Sequence, residues 1–139
     1  MTLLTEVDLR RIVLVPVARV DRRALAAVEH ARRIPADDLL AVHVVDDERA
    51  ATAVADAWRA AELDVPLEML YVDRSVAGSV ATLVEDVRNC GAQEVVLVLG
   101  RQALRRGWHR LLHDGTADAI AARVAGQPGV IPVVVSVPA

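Results

Sequence analysis

Five short apolar runs set the main constraint on what this chain can fold into: Ile12 to Val17, Leu39 to Val45, Leu67 to Val72, Val95 to Leu99 and Ile131 to Val137. Each is rich in Val and Leu and is bounded by Pro, Gly, Asp or charge, as strands buried on both faces are. Four stretches of helical character separate them. Asp21 is placed to cap a helix through Arg33, with Leu25, Val28 and Ala31 on one face. Asp46 or Asp47 opens a second, ending near Leu63 ahead of Pro66. Ser75 caps a third, with Val76, Val80, Leu83 and Val87 as its apolar stripe. The last begins near Asp114 to Thr116 and stops at Gly126, before the turn Gln127-Pro128-Gly129.

Strict alternation of strand and helix predicts right-handed crossovers and an α/β fold with a doubly wound parallel sheet covered on both faces. The 139 residues suffice for one core and not two. No repeat or linker interrupts them, so residues 10–139 are expected to form one domain, with Met1 to Leu9 as a loose arm.

Composition narrows the chemistry. Hydrophobic residues make up 54% and aromatics only 2%, so the core has to be aliphatic. The formal net charge of -3 leaves no electrostatic footprint for nucleic acid. Every basic residue other than histidine is arginine, which excludes a Walker lysine, a Schiff-base lysine and a lysine general base. The lone Cys90 excludes an internal disulfide, and it reads as a buried or half-buried thiol at a helix end. No stretch has the apolar length of a membrane span, and the N-terminus lacks a signal-peptide pattern, so the piece reads as soluble and cytoplasmic.

The opening, Arg11-Ile-Val-Leu-Val-Pro-Val-Ala-Arg-Val-Asp-Arg-Arg-Ala-Leu25, resembles the first strand and helix of the universal stress protein superfamily, and Leu40-Ala-Val-His-Val-Val-Asp46 is similar to its second strand. That resemblance implies a five-stranded sheet of order 3-2-1-4-5, of the adenine nucleotide alpha hydrolase-like kind, often dimerising through the last strand. A narrower resemblance runs through Trp58, Asp64-Val-Pro-Leu67, Tyr71-Val-Asp-Arg-Ser75, Gly107-Trp-His-Arg-Leu-Leu-His-Asp114 and Val134-Val-Ser-Val-Pro138. These segments look like the C-terminal cytoplasmic domains of bacterial amino-acid permeases of the amino acid-polyamine-organocation group. It implies a regulatory domain attached to a transmembrane permease, or a stand-alone relative of one.

Some stress proteins bind ATP where the carboxyl ends of the strands form a crevice. Transferred to this chain, that site would involve Pro16, Val17, Ala18, Val44, Gly100, Arg101, Gly107, Gly115 and Thr116. Two features depart from the ATP-binding pattern. The acid that follows the first strand there is Ala18 here, and the next acid, Asp21, has a helix to cap. The glycine loop also has the wrong spacing, with six residues between Gly100 and Gly107 and seven between Gly107 and Gly115. Arg101, Arg105, Arg106 and Arg110 keep an anionic ligand in view, because guanidinium forks suit phosphate. By resemblance to transporters that sense it, cyclic di-AMP stands beside ATP as a possible ligand.

No catalytic constellation emerges, and the chain is not expected to be an enzyme. His109 and His113 lie four apart beside Asp114, a spacing shared by many structural helices, and no third strong ligand accompanies them. His43, inside an apolar strand, reads as a hydrogen-bonded structural histidine. Ala77-Gly-Ser79-Val-Ala is not a nucleophile elbow. A homodimer is expected through the last strand, with Ile131, Val133, Val135 and Val137 at the interface, because an apolar edge strand needs a partner. Three functions stay open: a regulatory or ligand-sensing domain of a permease, an ATP- or cyclic di-AMP-binding stress protein, and a dimerisation domain without a small ligand.

Overall fold

The apolar runs pair as strands buried on both faces should. In a computed structural model of the chain, residues 10–71, 75–102 and 115–138 are described. The strands are β1 (Arg11–Pro16), β2 (Asp38–Val45), β3 (Leu67–Tyr71), β4 (Glu94–Gln102) and β5 (Val130–Val137). Between them lie α1 (Arg22–Arg32), α2 (Glu48–Ala60), α3 (Val76–Asn89) and α4 (Gly115–Val124). All pairings are parallel, and the order is β3-β2-β1-β4-β5. The expected doubly wound α/β architecture and its strand order are therefore present.

Alternation along the strands divides the interior into two layers. Val13, Val15, Ala41, Val96 and Val98 pack with Ala24, Ala27, Val28 and Ala31 of α1 and with Trp58 of α2. Leu14, Val42, Val44, Val95, Leu97 and Leu99 pack with Val80 and Val84 of α3 and with Ala117, Ile120 and Val124 of α4. Val13, Leu14 and Val15 of β1, and Val95, Leu97 and Val98 of β4, are fully covered. Each such side chain contributes about 1.5–3 kcal/mol relative to exposure.

The helix starts follow the local chemistry. Asp21 accepts from the backbone N–H of Ala24, Asp47 from that of Arg49 and Ser75 from that of Gly78. Each bond satisfies an amide that the first helical turn leaves without a partner. Gly126 takes φ +93° just beyond α4, the left-handed conformation that ends a helix most easily at glycine.

Three expectations need correction. Leu25 is 39% exposed, and the buried stripe of α1 is Ala24, Ala27, Val28 and Ala31. Three- and four-residue spacing allows either choice, and the small alanines let the helix lie closer to the sheet. On α3 the buried set is Ser79, Val80, Ala81 and Val84, with Val76, Leu83 and Val87 only partly covered. Cys90 is exposed at the end of α3.

β4 also runs three residues past the predicted end at Leu99, continuing through Gly100, Arg101 and Gln102 opposite Val135, Ser136 and Val137. Glycine is a strand residue here because of α1. A Cβ on Gly100 would sit 2.8 Å from the carbonyl carbon of Arg23 and closer still to its oxygen. The first turn of α1 thus presses directly on the backbone of β4.

Trp58 anchors α2, burying its ring while Nε1–H donates to the carbonyl of Val65 at 2.8 Å. Trp58→Ala should cost about 3–5 kcal/mol. Trp58→Phe, which leaves that carbonyl without its donor, should cost about 1–3 kcal/mol. Gly100→Ala should destabilise by about 1–3 kcal/mol through the Arg23 collision. Urea midpoints measure all three. A Gly100→Ala midpoint equal to wild type would mean that α1 does not need this close approach.

Candidate functional site

In this strand order the chain leaves β1 toward β2 and returns to β4, so the connections after β1 and β4 diverge over opposite faces of the sheet. Their carboxyl ends frame a crevice, the place where open α/β sheets hold ligands. A cavity of about 360 Å³ lies there. That falls in the lower part of the range for small-molecule pockets, about 300–1,000 Å³.

Of the residues singled out from sequence, Pro16, Val17, Ala18, Val44 and Gly100 line this crevice together. Arg101 is not among the lining residues. It faces the last helix and strand, donating to Asp118 at 3.1 Å and to Ser136 at 3.3 Å. Gly115 and Thr116 begin α4. Gly107, with Arg105, Arg106 and Arg110, lies outside the described residues, as do Trp108, His109, His113 and Asp114. Gly100, read as part of a phosphate loop, belongs instead to β4 and serves the contact with α1.

Sequence reasoning missed several lining residues. Arg19, Asp21 and Arg23 enter from the loop after β1 and the start of α1, and His43 and Asp46 come from the end of β2. Val76 closes the side under α3, and Ala117 and Ile120 that under α4. Arg19 directly follows the Pro16-Val17-Ala18 segment, and that adjacency was the available signal. His43 was visible beside Val44, but an apolar run does not tell which of its side chains turns toward the cavity.

The polar groups of the crevice divide into engaged and free. Asp21 accepts from the Arg23 Nε at 3.1 Å and Nη2 at 2.8 Å through one oxygen, and from the Ala24 amide at 3.1 Å through the other. Partial burial pushes its carboxyl up. The Arg23 hydrogen bond, the Ala24 N–H and the Arg23 charge outweigh that and hold it below the usual carboxylate range. The Arg19 guanidinium, by contrast, is exposed at the rim with no ion pair among the described residues. His43 is 5% exposed, and its Nδ1 lies 2.8 Å from the carbonyl oxygen of Val17.

The floor is apolar and built of small side chains, able to take a flat or compact organic group. The rim carries an uncommitted cation. The starts of α1, α3 and α4 lie at this same end of the sheet, and helix N-termini favour anions. Among the described residues no three His, Cys, Asp or Glu side chains gather as metal ligands, and no helix is long and apolar enough to cross a membrane.

The last strand forms one edge of the sheet. Of the residues named for a dimer interface, Ile131 is 43% exposed, Val133 and Val135 pack partly against the α1 layer, and Val137 is buried within the protomer. Val134, outside that set, is 37% exposed.

A doubly wound parallel sheet with an apolar crevice at its switch point defines a doubly wound α/β domain. The model of the KimA potassium transporter C-terminal domain family matches residues 9–139, and the chain belongs to that family. The expectation of a transporter C-terminal domain therefore holds, and the family's own description names a potassium transporter. No curated protein gives a match.

The lowered carboxyl of Asp21 carries a pH signature. Its contribution to stability is fully present above the unfolded-state pKa and is lost as pH falls through the folded-state value. Asp21→Asn keeps a capping oxygen but loses the charge. The variant should be less stable than wild type at about pH 6, and the gap should narrow toward about pH 2 as the lowered carboxyl takes up its proton. Chemical denaturation at the two pH values tests this, and a gap that persisted in acid would assign the effect to the cap alone.

Proposed function

We propose that this domain is a non-catalytic regulatory module of a potassium transporter, reading a small anionic ligand of the nucleotide type at its cytoplasmic side. The observation that carries the reading is the switch-point crevice. An apolar floor formed by Val17, Val44 and Leu99 lies beneath a rim where Arg19 has no partner among the described residues. A nucleobase would rest on that floor, and a phosphate would meet Arg19 and the helix starts. Membership of a transporter C-terminal family supports a role in which ligand occupancy is passed to an attached membrane part. Asp21 caps α1 and pairs with Arg23, roles that suit binding better than turnover.

Calorimetric titration of the domain with ATP, AMP and cyclic di-AMP tests the reading. Saturable binding of one of them in the micromolar range, about -8 kcal/mol, is the expected result. Arg19→Ala should weaken it about tenfold, roughly 1.4 kcal/mol. Indifference to all three would sink the ligand-reading function.

A second reading, compatible with the first, is pairing of two copies through β5. It is favoured by Ile131 and Val134, apolar and exposed on an edge strand. Light-scattering mass should then give a dimer for wild type and a monomer for the double variant Ile131→Glu, Val134→Glu. A wild-type monomer at about 100 µM would remove dimerisation from the account.

A further inference from the structure

His43 carries one nitrogen that the fold uses and one that it does not. A carbonyl oxygen only accepts, so at 2.8 Å from the Val17 oxygen the Nδ1 atom must be the donor and hold the proton. In the neutral ring that leaves Nε2 as a bare acceptor. This atom is covered and has no hydrogen-bond partner among the described residues. Buried polar atoms are nearly always paired, and the exceptions call for a reason. Fastening the end of β1 to β2 does not supply one, because an Asn amide could also donate to Val17.

The ring belongs to the residues that line the crevice, beside the exposed Ala18 and Arg19 of the loop after β1. We infer that His43 is the specificity-determining residue of the crevice, its Nε2 accepting from an N–H donor on the ligand, so that a base with an exocyclic amine is taken over one with a carbonyl at the same place. This inference rests on the crevice being a nucleotide site and goes beyond it by naming which face of the ligand is read. Because Nε2 is covered, a ligand gains the bond by displacing what lies over it and placing its own donor there. An oxo ligand would bring a second acceptor against the first and leave both unpaired, the situation in which polar sites discriminate strongly.

The test compares adenosine and inosine monophosphates, which are alike in shape but exchange an amine donor for a carbonyl at the six position while the neighbouring N1 gains a proton, by calorimetry on the full chain. Wild type should prefer the amino nucleotide by about tenfold or more. His43→Asn, which retains a donor for Val17 and removes Nε2, should bring the two affinities to within about twofold of each other while its thermal melt stays cooperative. Nitrogen-15 spectra of the wild-type imidazole give an independent reading. The Nε2 resonance should start in the unprotonated range and shift toward the hydrogen-bonded range only with the amino nucleotide. Equal wild-type affinities, an unmoved Nε2 resonance in the bound state or full discrimination in His43→Asn would overturn the inference while leaving the crevice a ligand site. Failure of both nucleotides to bind would overturn the crevice reading and this one with it.

Discussion

Two-sided burial of β1 and β4 is the constraint on which the other elements depend. Their side chains alternate between two apolar layers, so both strands must be covered above and below before either is stable. Each helix is amphipathic and becomes useful only once its stripe lies against one layer. The pairing of β1 with β4 also joins residues more than eighty positions apart, as in Arg11 opposite Glu94. Local structure cannot assemble this sheet piece by piece. The caps at Asp21, Asp47 and Ser75 aim the helices, but the energy comes from the strands they cover.

The crevice is a by-product of that same arrangement. A sheet that starts in its middle and builds outward in both directions has to part its connections over β1 and β4, and the gap remains at the carboxyl ends. What distinguishes this crevice is its furnishing. Small residues keep it open, Arg23 and Asp21 neutralise each other, and Arg19 and the second nitrogen of His43 are left uncommitted among the described residues. The contact of Gly100 with the Arg23 carbonyl fixes one wall against the other, so the opening is held by backbone and not by a flexible side chain.

Much of the architecture was legible because period and punctuation carry it. Five Val- and Leu-rich runs, bounded by Pro, Gly, Asp or charge, identify the strands, and three polar residues at the correct offset identify the caps. Strand order was not legible from pattern and came through resemblance. The errors share a physical cause. Which turn of α1 faces the sheet depends on how closely the helix can approach, and alanine at positions 24 and 27 wins over the larger Leu25 for that reason. Gly100 looked like a loop residue because glycine usually ends a strand, whereas here another backbone demands the space. The site was half legible: Pro16, Val17 and Ala18 follow from the strand end, but the roles of Arg19 and His43 depend on the neighbours that only folding supplies.

The aliphatic core has an evolutionary consequence. Val, Leu, Ile and Ala fill both layers almost alone, and such residues exchange for one another at modest cost so long as total volume is kept. The sparse polar and glycine positions have no such substitutes, because each answers one hydrogen bond or one steric demand. Tolerance to sequence change in this domain should therefore run against intuition, with drift permitted in much of the interior and resisted at a handful of partly exposed punctuation points. Relatives would be recognised less by their buried residues than by the marks between them.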